Sequence, residues 1–398
     1  MAHGAAFWRV GPEQERMNTP VRKKIAVVVP KYGLVGGGER FAAELTARLA
    51  ENPHNDIHVF ANQWQTGPEP VTFHKVRQIT FPKWLTTLSF AWFAHRKIMS
   101  MGFDLVHAHD RLFRADLCSM HFIPHAIWVR EVRRKKIFSL FDLATIALER
   151  RMLAVPGNCR QLLPVSSLAA RKFHQAYPAA ACKVEVMHPG VDDCFFQAGQ
   201  QERDRTRADL NLAPDVFVLL FVSMNFELKG LDRLLAILGR LRQKKLGRSL
   251  CLLVVGKGNQ RKYQELAEAF GVGEQIRFLG VREDMPAIYR AADLLTLLSG
   301  FDTFGMVVSE AMAAELPVMV SPSVGACDLV REGENGFVVE RDDIERAAGI
   351  IAGLAVDVPR RNAMGRVAKL AVADQRWSKV AEKVQAIYDH LSIFRNSP

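Results

Sequence analysis

From Lys23 onward the chain alternates short, continuous apolar runs with longer stretches whose apolar residues return every three or four positions. "KKIAVVVP" (23–30) is a run of the first kind. The stretch "GGGERFAAELTARLAE" that follows puts Phe41, Leu45 and Leu49 on one helical face. "DIHVFAN", "FDLVHAHD" and "CRQLLPVSS" add further strands, and "KVEVMHPGVDDCFF" closes this half near residue 190. The second half repeats the theme. "DVFVLLFVSMN" (215–225) is apolar without alternation, as a strand buried on both faces must be. "KGLDRLLAILGRLRQK" then carries Leu231, Leu234, Leu235, Leu238 and Leu241 at helical spacing. "LCLLVVGKG", "RKYQELAEAFGV", "QIRFLG", "MPAIYRAA", "DLLTLLS", "GMVVSEAMAAE" and "LPVMVS" continue the alternation. Such alternation predicts parallel sheets covered on both faces. The expected fold class is α/β, with two doubly wound, Rossmann-like domains facing a cleft and ligands at the carboxyl ends of the strands. The expected divisions are a flexible tail at 1–22, an N-terminal domain at 23–190, a C-terminal domain at 191–375 and a C-terminal helix at 376–398. The pattern does not reveal what that helix packs on.

A length of 398 residues agrees with two domains of ordinary size. No apolar run reaches the roughly 20 residues of a membrane helix, and the first 20 residues lack the apolar core of a signal peptide, so a cytoplasmic chain is expected. The six cysteines are scattered with no C-x-x-C pair and read as reduced thiols rather than a disulfide or metal framework. Charge changes the picture. Residues 1–190 hold 26 basic and 14 acidic side chains, whereas 191–398 hold 27 and 28, so the whole excess of +11 sits in the first half. That asymmetry points to an anionic partner for the N-terminal half.

The densest chemistry lies in "LSGFDTFGMVVSEAMAAELPVMVSPSVG" (298–325), where Asp302 and Glu310 flank seven residues that include Phe304 and Gly305. The pattern reads as a strand-end loop leading into a helix. Gly305 lets backbone approach a ligand closely, and the free N–H groups of the first turn, at Met306 and beyond, suit a phosphate. Glu310 then lies about a turn inside, where a carboxylate can accept from two neighbouring hydroxyls such as those of ribose. Asp302, on the loop, is placed to face a sugar ring. The simpler alternative is a helix start whose acids favour its dipole.

This stretch resembles the signature of retaining glycosyltransferases of family 4, which have the GT-B fold: two Glu separated by seven residues, with Phe-Gly inside and Glu-Ala-Met-Ala at the end. Glu310 matches; Asp302 is one methylene short of the usual Glu. Three further segments agree in order. "NFELKGLD" resembles the donor-phosphate segment, which implies that Lys229 pairs with the diphosphate as a compact cation. The Arg usual five residues earlier is Met224 here, leaving Arg233 or Lys257 as possible substitutes. "VMHPGVDDCFF" resembles the inter-domain segment, and "KYGLVGGGER" the first Gly-rich loop, which implies that Gly37 and Gly38 lie near the diphosphate. Bacterial lipopolysaccharide-core glucosyltransferases are a finer likeness.

"VHAHDRLFRAD" puts His107, His109 and Asp110 at a strand end in the cleft. No third ligand at a known spacing follows, so zinc is not expected. The resemblance implies that His109 contacts the donor sugar; Asp116 and His121 are vaguer candidates for acceptor contact. The glycines of "GLVGGGER" lack the G-x-G-x-x-G spacing, which argues against NAD. No D-x-D motif is present, which fits a metal-independent reaction.

Finally, "VREVRRKKIFSLFDLATIALERRM" and "KWLTTLSFAWFAHRKIM" mix basic and large apolar residues, as interfacial helices on anionic lipid do, although a core helix with a solvated basic end reads similarly. Together the residues and the resemblance imply a retaining hexosyltransferase. It would use a UDP-sugar, the favoured donor, or a GDP-sugar, and would need no separate cofactor. Its acceptor would be a membrane-linked glycan such as lipopolysaccharide core, met at the inner face of the cytoplasmic membrane. Catalytic roles would fall to Asp302, Glu310, Lys229 and His109, and donor binding to Gly37, Gly38, Phe304, Gly305, Met306, Lys229 and Glu310. A non-catalytic sugar-nucleotide binder is the alternative. A nucleic-acid binder is less favoured, because no recognisable module is present.

Overall fold

The computed structural model describes residues 22–34, 36–65, 70–197, 199–244 and 249–393. The expected tail at 1–22 lies outside them except for Arg22. Two sheets, each entirely parallel, organise the chain. The first has seven strands in the order Thr72–Lys75, Asn55–Ala61, Lys23–Val28, Leu105–Ala108, Ala115–Met120, Cys159–Pro164 and Lys183–Val184. The second has six, in the order Ile276–Gly280, Leu250–Gly256, Phe217–Ser223, Leu294–Leu297, Val318–Val320 and Gly336–Val338. In both, the first strand of the sheet lies inside it and chain order reverses beside it. Such a switch point leaves a crevice at the carboxyl ends of the strands. The loops that emerge there hold Gly33, Leu34, Gly36 and His109 in one sheet, and Met224–Lys229 and Leu298–Gly305 in the other.

Local sequence explains the layers. Phe217–Ser223 is buried almost throughout, and the Leu231–Gln243 helix turns Leu234, Leu235, Leu238 and Leu241 onto the sheet. The Gly37–Ala50 helix buries Phe41, Leu45 and Leu49 as its spacing requires. Ala115–Met120 was not apparent in the pattern. Its six residues are all buried, but Ala, Asp, Cys and Ser among them interrupt any apolar run.

The basic stretch is not one helix. A π-helical turn at Trp128–Val132 ends before Arg133, Arg134 adopts a positive φ of 53°, and the next helix starts only at Leu140. Ser139 fixes that start: its hydroxyl accepts from Asp142 N, and the Asp142 carboxylate accepts from Ser139 N at 2.9 Å, forming a reciprocal cap. Arg133, Arg134, Lys135 and Lys136 therefore sit on a connection.

The Trp377–Ile393 helix returns to the first sheet, against the Gly37–Ala50 helix and the Leu105–Ala108 strand. Trp377 packs edge-on to Phe41 with ring centroids 5.2 Å apart. Lys23 pairs with Asp389 at 2.7 Å, Asn55 donates to Gln385 at 2.8 Å, and the Tyr388 hydroxyl meets His107 Nδ1 at 2.8 Å. The chain thus crosses between the two sheets twice, and the crossings run side by side. Val191 N donates to Gln375 O at 2.6 Å and Trp377 N to Val191 O at 3.3 Å. Gly190 is required here, since a Cβ would lie 2.4 Å from the Trp377 ring.

Between this helix and the sheet, His107 is wholly buried and bonded at both ring nitrogens, to Tyr388 and to Ser119 Oγ at 2.9 Å. His109, two residues on, is also buried, with ring centroids 4.3 Å apart. Burial pushes His107 down to about 3, and burial with neighbouring histidines holds His109 well below 6.5. Both are neutral when folded and titrate near 6.5 when unfolded, so the unfolded chain binds more protons as pH falls below 6.5. Stability is therefore lost from about 6.5 downward, toward the depressed folded values, at no more than about 2.7 kcal/mol per pH unit from the pair. Urea unfolding between pH 7.5 and 5.0 checks this, and His107→Gln should flatten the slope. Trp377→Ala, which empties the junction of both crossings, should lower unfolding free energy by about 3–5 kcal/mol at pH 7.5.

Candidate active site

A cavity of about 810 Å³ separates the carboxyl ends of the two sheets. Gly37, Gly38, Lys229, Asp302, Phe304, Gly305, Met306 and Glu310 all line it, so eight of the residues singled out by motif meet in one place. Two helices begin there. The Gly37–Ala50 helix starts after Gly36 and the Met306–Ala313 helix after Gly305, and neither start has a side-chain cap. A Cβ on Gly37 would stand 4.0 Å from Met306 Sδ, so the two starts face each other. Their amide groups and positive dipole ends converge on the cavity. Gly305 has φ +90°, and a Cβ there would crowd the Asp302 carboxylate at 3.2 Å.

Glu310 lies one turn into its helix and is buried. Its Oε2 accepts from the Tyr289 hydroxyl at 2.9 Å, and its Oε1 from Arg40 Nη1, of the opposite domain, also at 2.9 Å. Burial first, then the adjacent carboxylate, pushes the Tyr289 phenol well above its ordinary value, so it donates to Glu310 at any moderate pH. Burial tends to lower Arg40, but Glu310 and Glu44 more than offset this, and it stays charged. Lys229 Nζ forms a close ion pair with Asp302 Oδ2. Gly230 follows it in the left-handed region at φ +82°, where a Cβ would stand 2.2 Å from Leu298 O, which fixes the approach of Lys229.

The loop carrying Asp302 is tied to the N-terminal sheet. Ser166 Oγ donates to Thr303 O at 2.6 Å, and a Cβ on Gly325 would meet that oxygen at 2.1 Å. Beside it, Asp328 accepts from Ser167 N at 2.6 Å and pairs with His188 at 3.1 Å. Burial alone would raise Asp328; these bonds outweigh it and hold the carboxyl below its usual range.

Other expected residues lie elsewhere. His109 is behind the cavity, its Nδ1 3.1 Å from His121 Nε2; His121, at the end of the neighbouring strand, is the histidine on the wall. Asp116 is at the amino end of its strand, away from the cleft, where it accepts from Val106 N at 3.0 Å and lies 3.8 Å from Arg160. Arg233 points to Asp342 at 2.7 Å, and neither it nor Lys257 is on the wall. Arg40 and Tyr289 were missed. The only signal for Arg40 was a cation immediately after a Gly-rich loop; for Tyr289, a lone phenol on an apolar helix.

A second cavity of about 350 Å³ opens beside the first and shares His121, Lys229, Asp302 and Thr303. Phe122, Trp128 and Phe301 give it aromatic walls, and Trp128 meets Phe301 at 5.7 Å. Among the described residues no helix is long and apolar enough to cross a membrane.

Residues 35–194 match the family model Glycosyltransferase Family 4, and residues 202–371 match Glycosyl transferases group 1. A D-inositol 3-phosphate glycosyltransferase of Corynebacterium jeikeium is 28% identical over 309 residues, which span 73% of each chain. One from Catenulispora acidiphila is 34% identical over 245 residues, 59% of this chain and 58% of that one. Across these and the Nocardia farcinica enzyme, the aligned stretch spans from half to about three quarters of the relative. In fold, the chain is similar to WaaG, a glycosyltransferase involved in lipopolysaccharide biosynthesis, with a TM-score of 0.78 at 21% identity over 92% of this chain and 99% of that one. It is also similar to Anabaena HepE in complex with UDP and glucose, with a TM-score of 0.70 at 18% identity over 93% and 100%. With both sheets matched and the signature residues gathered in the cleft between them, the chain belongs to the group 1, family 4 glycosyltransferases and has the GT-B fold.

Proposed function

We propose that this glycosyltransferase moves a hexose, with retention, from a UDP-sugar to a membrane-linked glycan such as lipopolysaccharide core. The observation that carries the reading is the pair of uncapped helix starts facing each other across the cavity, with Lys229 beside them and Glu310 one turn deeper. Such an arrangement suits a diphosphate flanked by a ribose. The amides at Gly37, Gly38, Met306 and Val307 hold the diphosphate oxygens, and Glu310, braced by Tyr289, accepts from the ribose hydroxyls. Asp302 orients the sugar, and His121, backed by His109, closes the wall beside it. As the bond from sugar C1 to phosphate breaks, its electron pair goes to the diphosphate, where Lys229 and the helix starts stabilise the growing charge. The acceptor oxygen bonds to C1 and its proton passes to the departing phosphate oxygen. These groups supply the charge that a divalent ion would otherwise provide, so the reaction is proposed as metal-independent. UDP is the nucleotide favoured by the HepE likeness, and GDP is the alternative.

The second cavity is the proposed acceptor side, since its aromatic walls suit a sugar face and it opens beside Asp302 and Lys229. A membrane-linked acceptor is supported by the surface of the N-terminal domain. The Leu85–Met101 helix packs on the Leu140–Ala154 helix, and Lys83 Nζ lies 5.5 Å over the Phe141 ring, joining the two basic, apolar segments into one face. Phe81, just before the first segment, and Ile137, within the second, are 87% and 84% exposed.

Calorimetric titration with UDP, GDP, ADP and NAD tests the donor site. One nucleoside diphosphate should bind, and Glu310→Ala should weaken it by roughly ten- to a hundredfold, as loss of charge-assisted bonds predicts. Binding of NAD alone, or of none, would refute the reading. Co-sedimentation with vesicles tests the surface. Phosphatidylglycerol vesicles should retain the protein and phosphatidylcholine vesicles should not, and Phe81→Glu with Ile137→Glu should cut retention at least severalfold.

A further inference from the structure

Beside the helix starts, the cleft offers few side-chain cations for the task just proposed. Among the described residues its wall carries three acids, Glu44, Asp302 and Glu310, against two permanent cations, Lys229 and Arg40. Each acid already has a partner: Asp302 has Lys229, Glu310 has Arg40, and Glu44 has Arg48 at 2.7 Å. Met224, on the same wall and 52% exposed, brings no charge. A diphosphate entering here needs a positive charge released from one of these pairs.

Arg40 is built to be released. It sits in the first turn of the Gly37–Ala50 helix, next to the uncapped start that faces Met306. Its side chain is 43% exposed, and among the described residues it holds an acid through a single nitrogen, Nη1, on Glu310 Oε1. The bonded oxygen belongs to the carboxylate proposed to receive the ribose. Ribose hydroxyls donating to Glu310 would take over the contact that holds the guanidinium, whereas Tyr289 would keep the other oxygen in place.

We propose that Arg40 is a donor-diphosphate residue, passed from Glu310 Oε1 to the diphosphate oxygens when ribose arrives. It supplies from the N-terminal domain the second cation that Met224 leaves absent from the C-terminal one. The inference rests on the donor reading above. Arg40 has the reach and the forked donors for a phosphate pair, and the transfer moves one charge-assisted hydrogen bond without separating Glu310 from a partner.

UDP, UMP and uridine, with the guanosine series in parallel, are titrated calorimetrically into wild type, Arg40→Met, Arg40→Lys and Arg40→Met with Met224→Arg. Arg40→Met should weaken the diphosphate by roughly ten- to a hundredfold while monophosphate and nucleoside change by less than about threefold. Arg40→Lys, which keeps the charge and guards against a folding defect in the methionine variant, should lose less than about tenfold. Adding Met224→Arg to Arg40→Met should recover most of the diphosphate loss. Equal losses for all three ligands would show that Arg40 only props Glu310, and would overturn the inference. Unchanged diphosphate affinity, or failure of Met224→Arg to rescue, would also overturn it. If wild type binds neither series the donor reading fails, and this inference with it. If wild type binds a diphosphate through Glu310 but Arg40→Met is indifferent, the donor reading stands and the role of Arg40 does not.

Discussion

A carboxylate as buried as Glu310 must find a hydrogen-bond donor for each oxygen, or it is too costly to keep ionised. This chain meets that demand with Tyr289 from below and Arg40 from across the cleft. The consequence extends beyond one side chain, because the second donor belongs to the other domain. The same is true of the loop before the helix, which is held through Ser166 and Thr303, and of Asp328 with Ser167 and His188. Across the cleft the sheets are therefore joined by polar contacts near the proposed donor site. Such contacts can be exchanged for a ligand's hydroxyls and phosphates at little net cost, which interlocked apolar side chains cannot.

The opposite end of the junction is built differently. Val191 and Arg376 run side by side where the chain crosses between domains, and Trp377 fills the space that Gly190 leaves for it. Backbone bonds and a buried indole do not trade places with a substrate. The chain is thus closed by apolar packing at its crossings and by exchangeable ion pairs at its cleft. Relative movement of the sheets would break the second set before the first.

Apolar periodicity made most of the fold legible, because strands buried on both faces and helices covering them leave different repeats. It failed where burial was achieved without apolar residues, as at Ala115–Met120, and where the partner was distant in sequence, as for the Trp377–Ile393 helix. The site divided in the same way. Asp302, Gly305, Met306 and Glu310 were legible because they follow one another along a loop and a helix start, whereas Lys229, 73 residues earlier, was reached only through the resemblance of its own segment. His109 and His121 could not be ranked that way. They end adjacent strands, and only the register decides which ring reaches the cavity and which supports it. Arg40 and Tyr289 were hidden for a related reason: their meaning lies in Glu310, 270 and 21 residues away.

The shorter acid at position 302 gains sense from this geometry. Asp302 reaches Lys229 directly, while its other oxygen lies 3.3 Å from Phe304 N, so the carboxylate belongs both to the cation and to the turn that delivers Gly305. A longer side chain would have to fold back to keep both contacts, beside a position where even a Cβ on Gly305 would lie 3.2 Å from the carboxylate. With Asp302 on Lys229 and Glu310 on Arg40, the two acids of the signature form an array of paired charges spanning the cleft. On the donor reading, the cations proposed for the diphosphate are held on the acids proposed for the sugar and the ribose.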